Sequence, residues 1–194
     1  MLLSILTPSI PRRAAKLASL AQRIKPWLGS DIEWLTITDD RPSGPKRNEM
    51  MDAARGKYIC HLDDDDHFEA AFPSVVIPAL QLDVDLVMYD AIASLNGSPF
   101  FLVSIGIDHP NEQPRHMGEG RLSGIRRRPW HWCSWRTELA RKARFPEKHH
   151  GAEDAVWLEQ MYPLVKTWHK IERPLFVHVY DSRESAFDGP NAPR

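Results

Sequence analysis

Only two cysteines, Cys60 and Cys133, occur in 194 residues. That is too few for a disulfide framework, and a reducing, cytoplasmic setting is expected. Cys60 lies in an apolar run and reads as a small buried hydrophobe. No apolar run approaches the roughly 18 residues that a membrane-spanning helix needs. The apolar start Met1–Leu6 has no basic stretch before it and is too short for a signal peptide, so it reads as a first strand. Neither sign of charge dominates: the net charge is −1, which by itself points to no partner. There is no internal repeat. The stretch Thr7-Pro8-Ser9-Ile10-Pro11-Arg12-Arg13 holds no glycine, which argues against a glycine-rich phosphate loop after the first strand.

What is present is ordinary for one α/β domain with its own core: 42% hydrophobic and 26% charged residues. Sixteen prolines imply many short connections. Leu2–Thr7 predicts a strand ended by Pro8, and Ser9 and Pro11 suit a helix start. Leu17, Leu20, Ala21 and Ile24 then share one helical face up to Pro26. Ile32–Thr38 predicts a second strand, Pro45–Ala54 a helix capped by Gly56, and Tyr58–Leu62 a third strand. Phe72–Leu80 predicts a helix. Val84–Tyr89 and Phe100–Ile105 predict strands, with an Asn96-Gly97 turn between them. Arg115–Pro129 reads as irregular, Ser134–Lys142 and Ala152–Tyr162 as helices, and Val165–Ile171 and Leu175–Val179 as closing strands. Strand–helix alternation predicts a mostly parallel central sheet with helices on both faces. Ligands of such sheets sit outside the carboxyl ends of the strands.

Two acidic groups fall at such ends, Asp39-Asp40 and the run His61-Leu62-Asp63-Asp64-Asp65-Asp66-His67. Four adjacent carboxylates repel one another, each pair at ~4 Å by roughly 1 kcal/mol even in bulk water. A fold that keeps them at a strand tip has a cation to collect. If the run is extended, Asp63 and Asp65 point one way and Asp64 and Asp66 the other. Two carboxylates on one side suit a hard divalent ion, which keeps open positions for phosphate oxygens.

The order of these motifs resembles family 2 nucleotide-sugar glycosyltransferases with the GT-A fold. The resemblance is carried by the opening strand and Arg12-containing helix start, by Asp39-Asp40, and by Lys46-Arg47-Asn48 before Ala54–Ile59. It continues in the DxD-like Asp63–Asp66 and in Glu153-Asp154 at a helix start. It covers residues 2–90 well and 124–160 loosely, whereas Phe100–Met117 and the C-terminal segment match nothing in the family. It implies a single GT-A-like domain over residues 1–181, with a nucleotide-sugar and metal half (1–90) and an acceptor half (91–181). A mobile tail, Ser182–Arg194, is expected after it.

The implied reaction moves a sugar from a nucleotide diphosphate donor, UDP-sugar foremost, to a hydroxyl acceptor, with inversion. Mg²⁺ or Mn²⁺ on Asp63 and Asp65, with His178 as a further candidate ligand, would assist the departing diphosphate. Asp39, Asp40, Lys46, Arg47, Asn48, Asp63 and Asp64 are the implied donor contacts, and Asp154 the general base. Glu153, Arg127, Trp130 and Trp132 are candidate acceptor contacts. His149-His150 with Glu153 make an incomplete zinc set.

Residues 115–148 hold ten Lys/Arg against three acids. This fits a solvated basic face, arginines that serve the diphosphate, or a dock for an anionic acceptor. Such an acceptor could be DNA with a hydroxylated base, a teichoic-acid-like polymer or a phosphorylated lipid head. Three other readings stay open. They are a nucleotidyltransferase, a metal-dependent phosphohydrolase on the same acids, and a non-catalytic nucleotide- or carbohydrate-binding module. Oligomeric state is not legible.

Overall fold

The computed structural model describes residues 1–113, 124–148 and 152–180. In chain order the elements begin β1 (Leu3–Ser9), α1 (Ala14–Ile24), β2 (Ile32–Thr38), α2 (Ser43–Ala53), β3 (Tyr58–His61), β4 (His67–Phe68) and α3 (Phe72–Leu80). There follow β5 (Leu86–Leu95), β6 (Ser98–Ile105), β7 (Ile125–Arg127), β8 (Ser134–Arg136), α4 (Thr137–Ala140), α5 (Glu153–Met161) and β9 (Trp168–Tyr180). The strands form one sheet in the order β2-β1-β3-β8-β5-β6-β7, with β9 beside β5 and β4 beside β9. The expected α/β domain is thus present. The sheet passes through the boundary expected at residue 90, because β5 spans it.

The N-terminal half follows its apolar runs. β1 is wholly buried and pairs in parallel with β2 on one side and β3 on the other. Pro8 does not end β1. Leu2 and Leu6 turn their carbonyls toward β3, so Pro8 faces the same side, but β3 pairing stops at Leu6. A residue without an N–H is tolerated there. Because β1, β2 and β3 are parallel, Ser9, Asp39 and Asp63–Asp66 come to one edge of the sheet.

Gly56 is not a helix cap. Helix α2 ends at Ala53 with Ala54 already extended. A Cβ on Gly56 would meet the Ser4 nitrogen at 2.5 Å, so the residue is small to let the chain pass β1.

The C-terminal half departs further. Ser134–Lys142 is not one helix: its first three residues form β8, antiparallel to both β3 and β5, before the short α4. Trp135 is fully buried there, so pairing between two core strands overrides helical spacing. The two closing strands are one, β9, whose register against β5 shifts around Asp90. The stretch expected to be irregular contains β7, parallel to β6. Asn96 and Gly97, at φ 50 and 85, make the tight turn between β5 and β6 that their identities predict. Both cysteines are buried and unpaired. Among the described residues no helix is long and apolar enough to cross a membrane. The expected tail and His149-His150 lie outside the described residues.

Candidate functional site

The acidic run is a turn, not an extended strand: the Asp66 N–H donates to the Asp63 carbonyl at 3.2 Å. Alternation therefore fails, and the four carboxylates are divided among Arg47, Arg13, Lys16 and His178. Asp63 takes Arg47 Nη2 at 2.6 Å. Asp64 is buried, accepting Ser9 Oγ at 2.6 Å and Arg13 Nη1 at 2.7 Å. Asp65 lies 3.1 Å from Arg13 and 3.8 Å from Lys16. Asp66, also buried, faces His178 Nδ1 at 3.0 Å and accepts the Val179 N–H at 2.8 Å.

Charge compensation is incomplete. Burial, then repulsion from Asp63, holds the Asp65 carboxyl above its usual range in spite of Arg13 and Lys16. Burial pushes Asp66 up to about 6 against the pull of His178. Burial draws His178 down, but Asp66, with Asp63 and Asp65 behind it, leaves this imidazole raised. Asp65, Asp66 and His178 line an open cleft of about 790 Å³, with Arg23 of α1 and Tyr180 of β9 also in its lining.

Asp63 and Asp154 stand apart from that lining, on the side of Arg47. This arginine is buried, and its Nη1 reaches Asp154, 107 residues away, at 2.7 Å. His131 lies against the same two carboxylates, 3.3 Å from Asp154 and 3.8 Å from Asp63. Burial and the Arg47 charge drive its pKa down to about 3. Asp154 is the second residue of α5, and Glu153 the first.

The other expected donor contacts divide. Asp39 follows β2 and is tied to Arg41, which holds its carboxyl below the usual range. Asp40 is exposed beside it. Lys46 is 1% exposed, and Nζ donates to the carbonyls of Ser9 (2.6 Å) and Asp39 (2.9 Å). It staples the tips of β1 and β2 instead of reaching into solvent. Asn48 spends its amide on both backbone groups of Phe145, at 2.9 and 3.0 Å. Lys46 and Asn48 therefore shape the site from behind.

Trp132 is a correction. It is 7% exposed and stacks on Phe176 with centroids 4.4 Å apart, so this ring face belongs to the core. Trp130 is half-buried under Arg127, 5.8 Å from its ring centroid. Among the described residues, four arginines of the basic segment are bound internally. Arg126 pairs with Glu112, Arg136 with Asp83 and Asp85, and Arg144 with Asp52. Arg141 donates to the carbonyls that end α2.

Ser9, Arg13, Asp66 and His131 complete the site without having been singled out. Asp66 belongs to the acidic run, and nothing in the sequence separates Arg13 from its neighbour Arg12. A lone histidine between tryptophans carries no spacing signal. Among the described residues no three His, Cys, Asp or Glu side chains form a ready metal cluster.

No protein-family profile and no curated protein matches the chain. Solved structures do. Staphylococcus aureus TarS (residues 1–349) in complex with UDP-GlcNAc superposes with a TM-score of 0.60 at 13% identity, over 93% of this chain and 59% of that one. Its UDP complex gives 0.60 at 14%, over 93% and 61%. TarS in its longer form gives 0.61 at 12%, over 93% and 37%. The chain spans about three fifths of the shorter TarS protein. At this identity the likeness is one of fold, and the α/β fold of this chain is that of TarS.

Proposed function

We propose that the protein is a metal-dependent, inverting glycosyltransferase that moves a sugar from a nucleotide diphosphate, UDP foremost, to an acceptor hydroxyl. The observation that carries this reading is Arg47, which ties the acidic turn at the tip of β3 to the carboxylate opening α5. TarS, with the same fold, is solved with UDP-GlcNAc and UDP bound.

The residues present fit a hard divalent ion. The donors are carboxylate oxygens and one imidazole, and Asp65, beside Arg13 and Lys16, lines the open cleft together with His178. Asp65 and His178, which line the cleft, would hold Mg²⁺ or Mn²⁺, with Asp63 joining them on leaving Arg47, and the ion would supply Lewis-acid stabilisation to the departing diphosphate. Asp39 and Asp40, at the tip of β2, would meet the nucleoside, and Arg13 and Lys16 would face the phosphates. Asp154 would take the proton of the acceptor hydroxyl as that oxygen attacks the anomeric carbon from the face opposite the diphosphate. Residues 1–90 supply the donor side, and the acceptor approaches over Trp130 and Arg127.

Thermal unfolding with UDP, GDP and dTDP, each with and without Mn²⁺, tests the donor site. A nucleotide at 100 times its Kd stabilises by about 2.7 kcal/mol. The expected result is a UDP shift that requires Mn²⁺. No metal-dependent shift with any nucleotide overturns the reading. Asp154→Asn should keep that shift and lose UDP release from UDP-GlcNAc, and undiminished release overturns the base assignment.

A further inference from the structure

Four side chains close a ring between the acidic turn and α5. Asp63 and Asp154 each give Oδ1 to Arg47, at 2.6 and 2.7 Å. Each turns Oδ2 toward His131, Asp154 at 3.3 Å from Nδ1 and Asp63 at 3.8 Å from Nε2. His131 is 5% exposed, and neither of its ring nitrogens has an aligned hydrogen-bond partner. Its ring lies edge-on to Trp132 and His61, which flank it beside the two carboxylates. A neutral imidazole has one N–H and one lone pair. It can donate to one of the carboxylates, and the nearer is Asp154.

We propose that His131 is a positioning residue for Asp154: as the Nδ1–H tautomer it donates to Oδ2 and, with Arg47 on Oδ1, fixes the lone pairs that face the acceptor hydroxyl. The opposite tautomer would set a nitrogen lone pair against the carboxylate. The 3.3 Å contact is long for a hydrogen bond, and such contacts tighten when a substrate occupies a site. The proposal rests on Asp154 as general base. It adds a second anchor that sets the direction in which this carboxylate accepts the proton.

Two measurements test it. Long-range ¹H–¹⁵N NMR on the full-length, unsubstituted protein reads the tautomer of His131. The expected state is Nδ1–H, and Nε2–H overturns the proposal. This reading needs no activity and no variant. The second compares His131→Asn, whose amide nitrogen stands where Nδ1 stood, with His131→Gln, whose amide reaches the place of Nε2. UDP release from UDP-GlcNAc should persist within about threefold in His131→Asn and fall about tenfold to a hundredfold in His131→Gln. The Kd for UDP should be unchanged in both. Equal kcat in the two variants, or a loss confined to UDP affinity, overturns the proposal. If Asp154→Asn retains turnover, the base reading fails instead, whichever tautomer is found.

Discussion

Arg47 shows how much one side chain can hold in this protein. Its guanidinium is buried, packs 5.4 Å from the Phe145 ring centroid and donates through separate nitrogens to Asp63 and Asp154. Burial disfavours its charge, yet the attraction of Asp154 and then Asp63 leaves its pKa raised. A planar fork presents a separate nitrogen to each carboxylate, and the single ammonium of a lysine cannot stand where both of those nitrogens stand. Arg47→Lys should therefore leave one of the two aspartates unpaired. Asp63 and Asp154 keep 30% and 22% side-chain exposure, which softens the penalty. A loss of about 2 kcal/mol in urea-unfolding stability is expected, below the ~3–5 kcal/mol of a fully buried pair. UDP release from UDP-GlcNAc should fall with it. Wild-type stability in Arg47→Lys would show that the bridge holds nothing.

At the scale of elements, the site depends on β1, β2 and β3 staying in register, and Glu33 locks that register. This buried carboxylate of β2 accepts Ser4 Oγ of β1 at 2.6 Å, and the Arg55 N–H and guanidinium that lead into β3. Burial pushes its pKa up, but the three donors outweigh burial and leave it below the usual 4.5. A carboxyl lowered in the folded state adds stability that is present above about pH 4.5 and is lost as pH falls through the folded value. Glu33→Gln should thus be less stable at pH 7 and show a shallower decline below about pH 4.5. Parallel pH titrations of the melting temperature decide this, and identical slopes would remove Glu33 as the lock. The same elements show what could be read beforehand. β1, β2, β3 and α3 are carried by apolar runs, so the strand tips that carry Asp39 and Asp63 were legible, whereas Asp154 on α5 was expected from the family resemblance alone. β8 was not, because Ser134-Trp135-Arg136 becomes a strand only when β3 and β5 close on it. The acidic run is a turn and not the extended segment on which side-chain alternation depends, and the partners of Asp64 and Asp66 come from distant parts of the chain. His131 draws its meaning wholly from tertiary contacts.

Over the whole molecule, the basic stretch looks different once folded. Its excess charge promised a dock for a polyanion, but Arg126, Arg136 and Arg144 are each neutralised by an acid from another part of the chain. Arg141 serves the end of α2. Among the described residues, Arg127 and Arg128 are the cations of this stretch that lie on aromatic faces near the site, over Trp130 and Tyr162. Each phosphate neutralised contributes about −0.9 to the slope of log K against log salt. Two phosphate contacts through these arginines correspond to a slope of about −2 for duplex DNA, whereas a dedicated nucleic-acid groove gives far steeper values. Fluorescence anisotropy with a short duplex between ~50 and ~200 mM salt reads this slope directly. A slope of about −2 or shallower is expected, and Arg127→Ala should flatten it by about one unit. A slope near −5 or steeper would mean that the internal ion pairs open to a polyanion, and would restore an anionic acceptor.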